Sequence, residues 1–384
     1  MAADTLRLLG ECLSVAEGEA QPPASVLRRR LSDPAVQDDV VAAANEALIT
    51  PALYDALSVK GLLDEIREPV RPFLESFHQV NLDRNEAFAG QLAEAARAMN
   101  AAGIQPLVLK GTRTLLEDDR RRLGCRVMCD LDLMVPEESA FAACKALESI
   151  GYRKVKSFDA VEHTHEIGDF ARPGDFGAID LHRALTSHYG HRGGRAHCRD
   201  LIPPEDVFAA ARRARFRDSE VLVPDLRHHL LHLILHDQLQ GHDHYAARLN
   251  LRHLLDIAEL LRDMKAAEVR ESVTMMRPHG LSSMAVSHLL AAHALFGAPL
   301  PASLRRRLWP RLIHGARMAA AARPWLAAPQ RAVGALAWEF ARCRYPLHAS
   351  VWRVNAWRAA RMWSLVRRYR QDMFRQFRRV ASRL

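Results

Sequence analysis

Asp130 and Asp132, in the run Cys129-Asp-Leu-Asp-Leu-Met-Val135, are two acids placed one residue apart among apolar neighbours. Side chains on a strand alternate between faces, so Leu131, Leu133 and Val135 share one face while the two acids share the other. Like charges held about 6–7 Å apart are unfavourable unless water or a cation lies between them. The segment Ala178-Ile-Asp-Leu-His182 has the same pattern, with Ile179 and Leu181 behind and Asp180 and His182 in front. If the two strands are neighbours, three carboxylates converge into an oxygen-rich set that suits Mg²⁺, whose shell is completed by water and phosphate oxygens. A solvated polar face is the competing reading of either pair alone.

Upstream, Leu107-Val-Leu-Lys-Gly-Thr112 is an apolar run ending in a glycine turn. A strand that stops there and opens a helix presents backbone N–H groups to a phosphate, Gly111 permits close approach, and Lys110 adds a positive charge. A plain strand-to-helix turn with a solvated lysine is the bland alternative. Arg126 lies four residues before Asp130, between the turn and the acids.

The elements that would position these residues follow from apolar periodicity. The first hundred residues are expected to be helical, the last of these helices closing at Gly103. Short strands are expected at Ile104–Leu109, around Asp130–Val135, from Tyr152, around Glu162–Phe170 and around Gly177–Leu185. A helix is expected over Pro136–Gly151, another through "RTLLEDDRRRLG", and a turn at Pro173-Gly174. From about Pro203 onward the pattern is again helical. This gives an α+β protein, a mixed sheet covered by helices and flanked by N- and C-terminal helical regions. The expected segments are 1–80 (helical), 81–202 (sheet core), 203–340 (helical) and 341–384 (Arg-rich tail).

The overall charge of +9 is not spread along the chain. Residues 341–384 hold twelve Arg and one acid, Asp372, a net of +11, so residues 1–340 carry −2. A nucleic-acid-binding body is therefore not indicated. Six cysteines without a CxxC pair exclude a zinc knuckle and a disulfide framework, and no signal-length apolar run is present, so a cytoplasmic protein is expected.

His228, His232 and His236 recur every four residues along one expected helix face. That spacing can hold zinc, and His236-Asp237 is similar to the His-Asp metal pair of phosphohydrolases. The leucines between them favour buried, hydrogen-bonded imidazoles over a catalytic metal, with His232 and His236 as candidates to line an acceptor pocket. His182 is the histidine best placed beside metal ligands, whereas His163 and His165 are expected to be satisfied surface residues. In the tail, Trp352, Trp357, Trp363, Phe374 and Phe377 interleave with arginines. Packing on the body, contact with an anionic membrane at the inner face, and, less favoured, nucleic-acid binding all fit that pattern.

Taken in order, "KGT…R…DLDLMV…GYR…IDLH", followed by "RLNLRHLLDIAELL" at 248–261, resembles the bacterial uncharacterised nucleotidyltransferases of the minimal, DNA polymerase β-like superfamily. The match spans roughly residues 40–290. Val127 and Cys129 stand where the wider superfamily has Gly and Ser. The resemblance implies a polymerase β-like palm and transfer of an NMP, with AMP from ATP expected, to a hydroxyl of a small molecule, peptide or protein. It implies Mg²⁺ or Mn²⁺ on Asp130, Asp132 and Asp180, Asp180 also assisting deprotonation of the acceptor. Phosphates would be held by Lys110, Gly111, Thr112 and Arg126. The alternative is a non-catalytic nucleotide-binding or interaction protein that works through its basic tail.

Overall fold

The computed structural model describes residues 3–18, 21–157, 165–186, 201–241 and 243–323, with parts of 327–337 and 350–367. His163, Phe374 and Phe377 lie outside the described residues. Seven strands form one mixed sheet: β1 (Leu107–Val108), β2 (Leu131–Met134), β3 (Arg153–Ser157), β4 (Glu166–Ala171), β5 (Ile179–His182), β6 (Arg212–Phe216) and β7 (Ser219–Val223). Their order is β3-β4-β5-β2-β1-β7-β6. The pairs β2–β5 and β1–β7 are parallel, and the other pairs are antiparallel.

The back of the sheet is buried by the long helix Val70–Ala101. Phe88, Leu92, Ala96 and Met99 recur at helical spacing and form one apolar cluster with Leu131, Leu133, Ile179 and Leu181. Helix Ala140–Ser149 adds Ala143 and Leu147 to it. The alternation expected in β2 and β5 is thus realised, with leucines and isoleucine sealed behind and Asp132, Asp180 and His182 in front beside Met134. Gly177 permits this pairing at the entry to β5, because a Cβ there would lie 2.4 Å from the carbonyl oxygen of Cys129.

A second apolar cluster joins the two ends of the chain. Leu6, Leu9, Leu27, Val40 and Leu53, from the N-terminal helices, pack with Leu230, Leu254, Val269 and Leu289, from the C-terminal ones. Helix Ala3–Cys12 comes so close to helix Ser282–Phe296 that a Cβ on Gly10 would sit 2.3 Å from the carbonyl oxygen of Leu295.

Three expectations need correction. The chain does not turn wholly helical at Pro203: β6 and β7 form a hairpin that extends the sheet to Val223. Arg217, with φ of 52°, takes the left-handed turn position that a glycine would have advertised. The segment "RTLLEDDRRRLG", expected to be helical and either extended or looped at "EDDRRR", is broken there into a 3₁₀ helix, Lys110–Leu116, and a short α-helix, Arg120–Leu123. Asp119 starts the second piece by accepting from the Arg121 N–H at 2.9 Å, which competes with helix continuity. Finally, β2 begins at Leu131, so Asp130 occupies the exposed step before the strand.

Candidate active site

Parallel pairing of β2 with β5 puts Asp132 directly opposite Asp180 and Met134 opposite His182. Asp132, Asp180 and His182 therefore share the front of the sheet, and one ligand atom from each lies within 4.8 Å of the others. His182 Nε2 is 3.1 Å from both Asp132 Oδ1 and Asp180 Oδ2. Lys110 Nζ donates to Asp132 Oδ1 at 2.6 Å. Thr112 Oγ1 accepts from the Asp132 N–H at 2.8 Å, and the Thr112 N–H bonds the Leu109 carbonyl at 3.0 Å.

Charge is nearly balanced in this buried space. Burial would raise the Asp132 carboxyl, yet Lys110 and His182 hold it well below the usual carboxylate range. Burial likewise opposes a charge on His182, but hydrogen bonds to Asp132 and Asp180 lift its pKa to about 9. Lys110 is raised because the Asp132 charge outweighs the cost of burial. Asp130 is pushed up by partial burial and by the charge on Asp132. One oxygen stands apart from this balance: Asp180 Oδ1 is buried without a hydrogen-bond partner. An unpartnered carboxylate oxygen beside a second carboxylate fits a hard divalent cation.

The sequence-derived phosphate residues are placed differently from one another. Lys110, with φ of 43°, turns its ammonium onto Asp132, and both the N–H and the hydroxyl of Thr112 are engaged within the protein. Arg126 is held by Asp256 of helix Leu251–Asp263 at 2.8 Å, with its Nη1 donating to the Val127 carbonyl at 2.6 Å. A cavity of about 250 Å³ beside the turn is lined by Lys110, Gly111, Arg113, Arg121 and Arg126; none of Asp130, Asp132 and Asp180 lines it. His232 is fully buried with both ring nitrogens unpartnered, and His236 is partly exposed with its ring 6.3 Å from that of His232. The expectation of hydrogen-bonded imidazoles along this helix therefore fails at His232.

Several site residues escaped the sequence reading. Asp169 on β4 faces Asp180, and Glu166 faces His182, so the acidic front spans three strands. A register shift between Glu166 and Gly168 brings residues three apart to one face, which simple alternation hides. Burial and the Asp180 charge raise both of their carboxyls. His165 is not a surface residue: its ring lies 5.0 Å from that of His182, and burial pushes it to about 2. The loop that delivers Asp130 is anchored by Asn81 and Asn85 of the long helix, which donate to the carbonyls of Gly124, Arg126 and Leu123.

Residues 33–297 match the family model described as uncharacterised nucleotidyltransferase. The chain belongs to this family. It is a transferase of the nucleotidyltransferase class, and every strand of the sheet falls inside the matched span. Among solved structures, the solution structure of the antibiotic-resistance factor ANT(2″)-Ia is similar at 12% identity and a TM-score of 0.36, over 52% of this chain and 95% of that one. No curated protein matches the chain. No helix among the described residues is long and apolar enough to cross a membrane. The Arg-rich tail lies beyond the residues that define this nucleotidyltransferase family.

Proposed function

We propose that this nucleotidyltransferase moves AMP from ATP onto a hydroxyl of a small molecule, peptide or protein and releases pyrophosphate. The observation that supports it most is the in-register pairing of Asp132 with Asp180 beside His182. Asp132 and Asp180, with Asp130 at the entrance, would hold Mg²⁺ or Mn²⁺, which when bound polarises the phosphates and stabilises the leaving pyrophosphate. Lys110 is the cation nearest these acids and would exchange Asp132 for the β and γ phosphates. Asp180 would also help take the acceptor hydroxyl's proton as the hydroxyl oxygen attacks the α-phosphorus. Arg126, fixed by Asp256, would add positive field near the turn.

The test supplies each α-labelled NTP with Mg²⁺ or Mn²⁺ and cell lysate, and follows label into protein and small-molecule fractions. Wild type should transfer label from ATP in preference to the other three. Asp132→Ala should lower transfer by at least ~100-fold, because the lost charge stabilisation amounts to several kcal/mol. Equal labelling by the variant would refute the assignment.

A second reading concerns the tail alone. Trp352 and Trp363 are 86% and 68% exposed on a helical stretch that also carries Arg353, Arg358 and Arg361. Exposed indoles among arginines support contact with an anionic lipid surface. Flotation with anionic liposomes should capture the full chain but not one ending at Leu347; equal capture removes the idea.

A further inference from the structure

A second buried polar cluster is enclosed by three helical elements. Asp237 lies in the π-helical turn His236–Gln240 that ends helix Leu226–Leu235, His253 in the first turn of helix Leu251–Asp263, and His288 in the middle of helix Ser282–Phe296. Asp237 and His288 are 2% and 0% exposed. Asp237 Oδ1 meets His253 Nδ1 and lies 3.7 Å from His236 Nδ1, while Asp237 Oδ2 lies 3.4 Å from His288 Nε2.

Protein hydrogen bonds leave this cluster incomplete. Asp237 Oδ2 and both ring nitrogens of His288 are buried without a hydrogen-bond partner. The Asn250 side chain caps its helix with Oδ1 toward the His253 N–H at 3.4 Å, so its Nδ2 faces His253 Nδ1 at 3.1 Å. Nδ1 has one in-plane site for both neighbours, so a proton that serves the Asp237 carboxylate leaves the Asn250 amide facing a donor. The buried Arg317 gives its Nη2 to the Arg248 carbonyl at 2.5 Å, and its Nε and Nη1 find no partner, so it does not complete Asp237. A cation beside Asp237 would supply the partner that its buried Oδ2 and the crowded His253 contact lack.

We propose that His236, Asp237 and His253, whose ligand atoms lie within 4.8 Å of one another, bind one divalent transition-metal ion of the zinc class, with His288 against the other oxygen of Asp237, at a site separate from Asp132 and Asp180. Ligand atoms of a tetrahedral site with bonds of about 2.0–2.1 Å lie about 3.4 Å apart, so Asp237 Oδ1 and His236 Nδ1, 3.7 Å apart, suit a shared ion, while Asp237 Oδ1 and His253 Nδ1, in direct contact, must separate to admit it. Two imidazoles and one carboxylate, with water in a fourth position, suit zinc and its neighbours in the transition series, whereas Mg²⁺ selects oxygen ligands. The His236 side chain is 30% exposed and provides the route of entry. The ion would tie the π-helical turn to the two helices behind it, beside the histidines nearest the acidic strands.

The experiment uses the full chain, stripped with chelator and titrated with Co²⁺ or Zn²⁺ alone, read by visible Co²⁺ absorption and by metal content after dialysis. Wild type should retain one ion per chain with a tetrahedral Co²⁺ spectrum that Zn²⁺ displaces. Asp237→Asn and His253→Gln should weaken binding by at least ~10-fold, since even residues behind metal ligands are worth that much. His236→Ala alters the partly exposed ligand and should do the same with an unchanged circular dichroism spectrum, whether or not the buried variants fold. Asp132→Ala should retain the ion. No uptake by the stripped wild type, or equal affinity in His236→Ala, overturns the site. A spectrum lost only in Asp132→Ala places the ion on the acidic strands and overturns it as well.

Discussion

Asp132 and Asp237 are both almost wholly buried carboxylates, 5% and 2% exposed, and they differ in what surrounds them. Asp132 has the Lys110 ammonium and a protonated His182 on one oxygen and a threonine hydroxyl supporting its backbone. Asp237 faces three imidazoles, two of which, on His236 and His288, are pushed down chiefly by burial, and part of its bonding capacity is unfilled. The first site already carries protein cations on its carboxylate, the Lys110 ammonium among them, which an incoming phosphate could draw away. The second surrounds an unfilled carboxylate oxygen with imidazoles, which suits the permanent occupancy proposed for it.

The largest expected effect that sharpens this contrast is on chemistry at the strand face. Asp180→Ala removes a residue proposed both as metal ligand and as proton acceptor, so turnover should fall by roughly 10³–10⁴-fold while zinc content stays at the wild-type level. Loss of zinc in this variant would merge the two sites. Next comes Lys110→Met, which leaves a buried carboxylate short of a charge partner; breaking such a pair costs about 3–5 kcal/mol, measurable by urea unfolding. An unaffected midpoint would show that Lys110 does not neutralise Asp132.

A pH titration of stability separates the regions further. The pKa of His182 is raised in the folded state, to about 9. Its stabilising contribution is therefore complete below its unfolded pKa near 6.5 and is lost as pH rises through about 9, a change of about 3 kcal/mol at most. In metal-free protein, wild type should lose this increment between about pH 6.5 and 9 relative to His182→Gln. Parallel curves would place the proton elsewhere. The smallest effect is expected for Thr112→Val, which leaves the buried Asp132 N–H without its acceptor at about 1–3 kcal/mol. Its melting temperature should drop with zinc binding intact, and an unchanged value would mean that water replaces the hydroxyl.

The parts of the site that depend on strand alternation were legible from sequence. Leu131 and Leu133 behind, Asp132 in front, and Ile179 and Leu181 behind Asp180 and His182 follow from the period of two alone. Asp169 and Glu166 were not legible, because a bulge breaks that period and no residue type announces it. The β6–β7 hairpin was hidden for a related reason. Arg212, Arg213 and Arg215 make β6 look like a solvated segment, and its tight turn uses Arg217 where sequence reasoning looks for glycine or asparagine. The unpartnered atoms around Asp237 were beyond reach, because they depend on three helices distant in sequence meeting side by side. Leucine spacing showed that His232 and His236 lie on a helix but not which imidazoles lack partners.

The apolar cluster that unites Leu6, Leu9 and Leu53 with Leu254 and Leu289 has a consequence for synthesis. The opening helices leave the ribosome long before the segments that cover them have been translated, and they must wait with bare leucines while the entire sheet is made. Premature termination before residue 254 would therefore release a sticky, chaperone-dependent fragment instead of a smaller working enzyme.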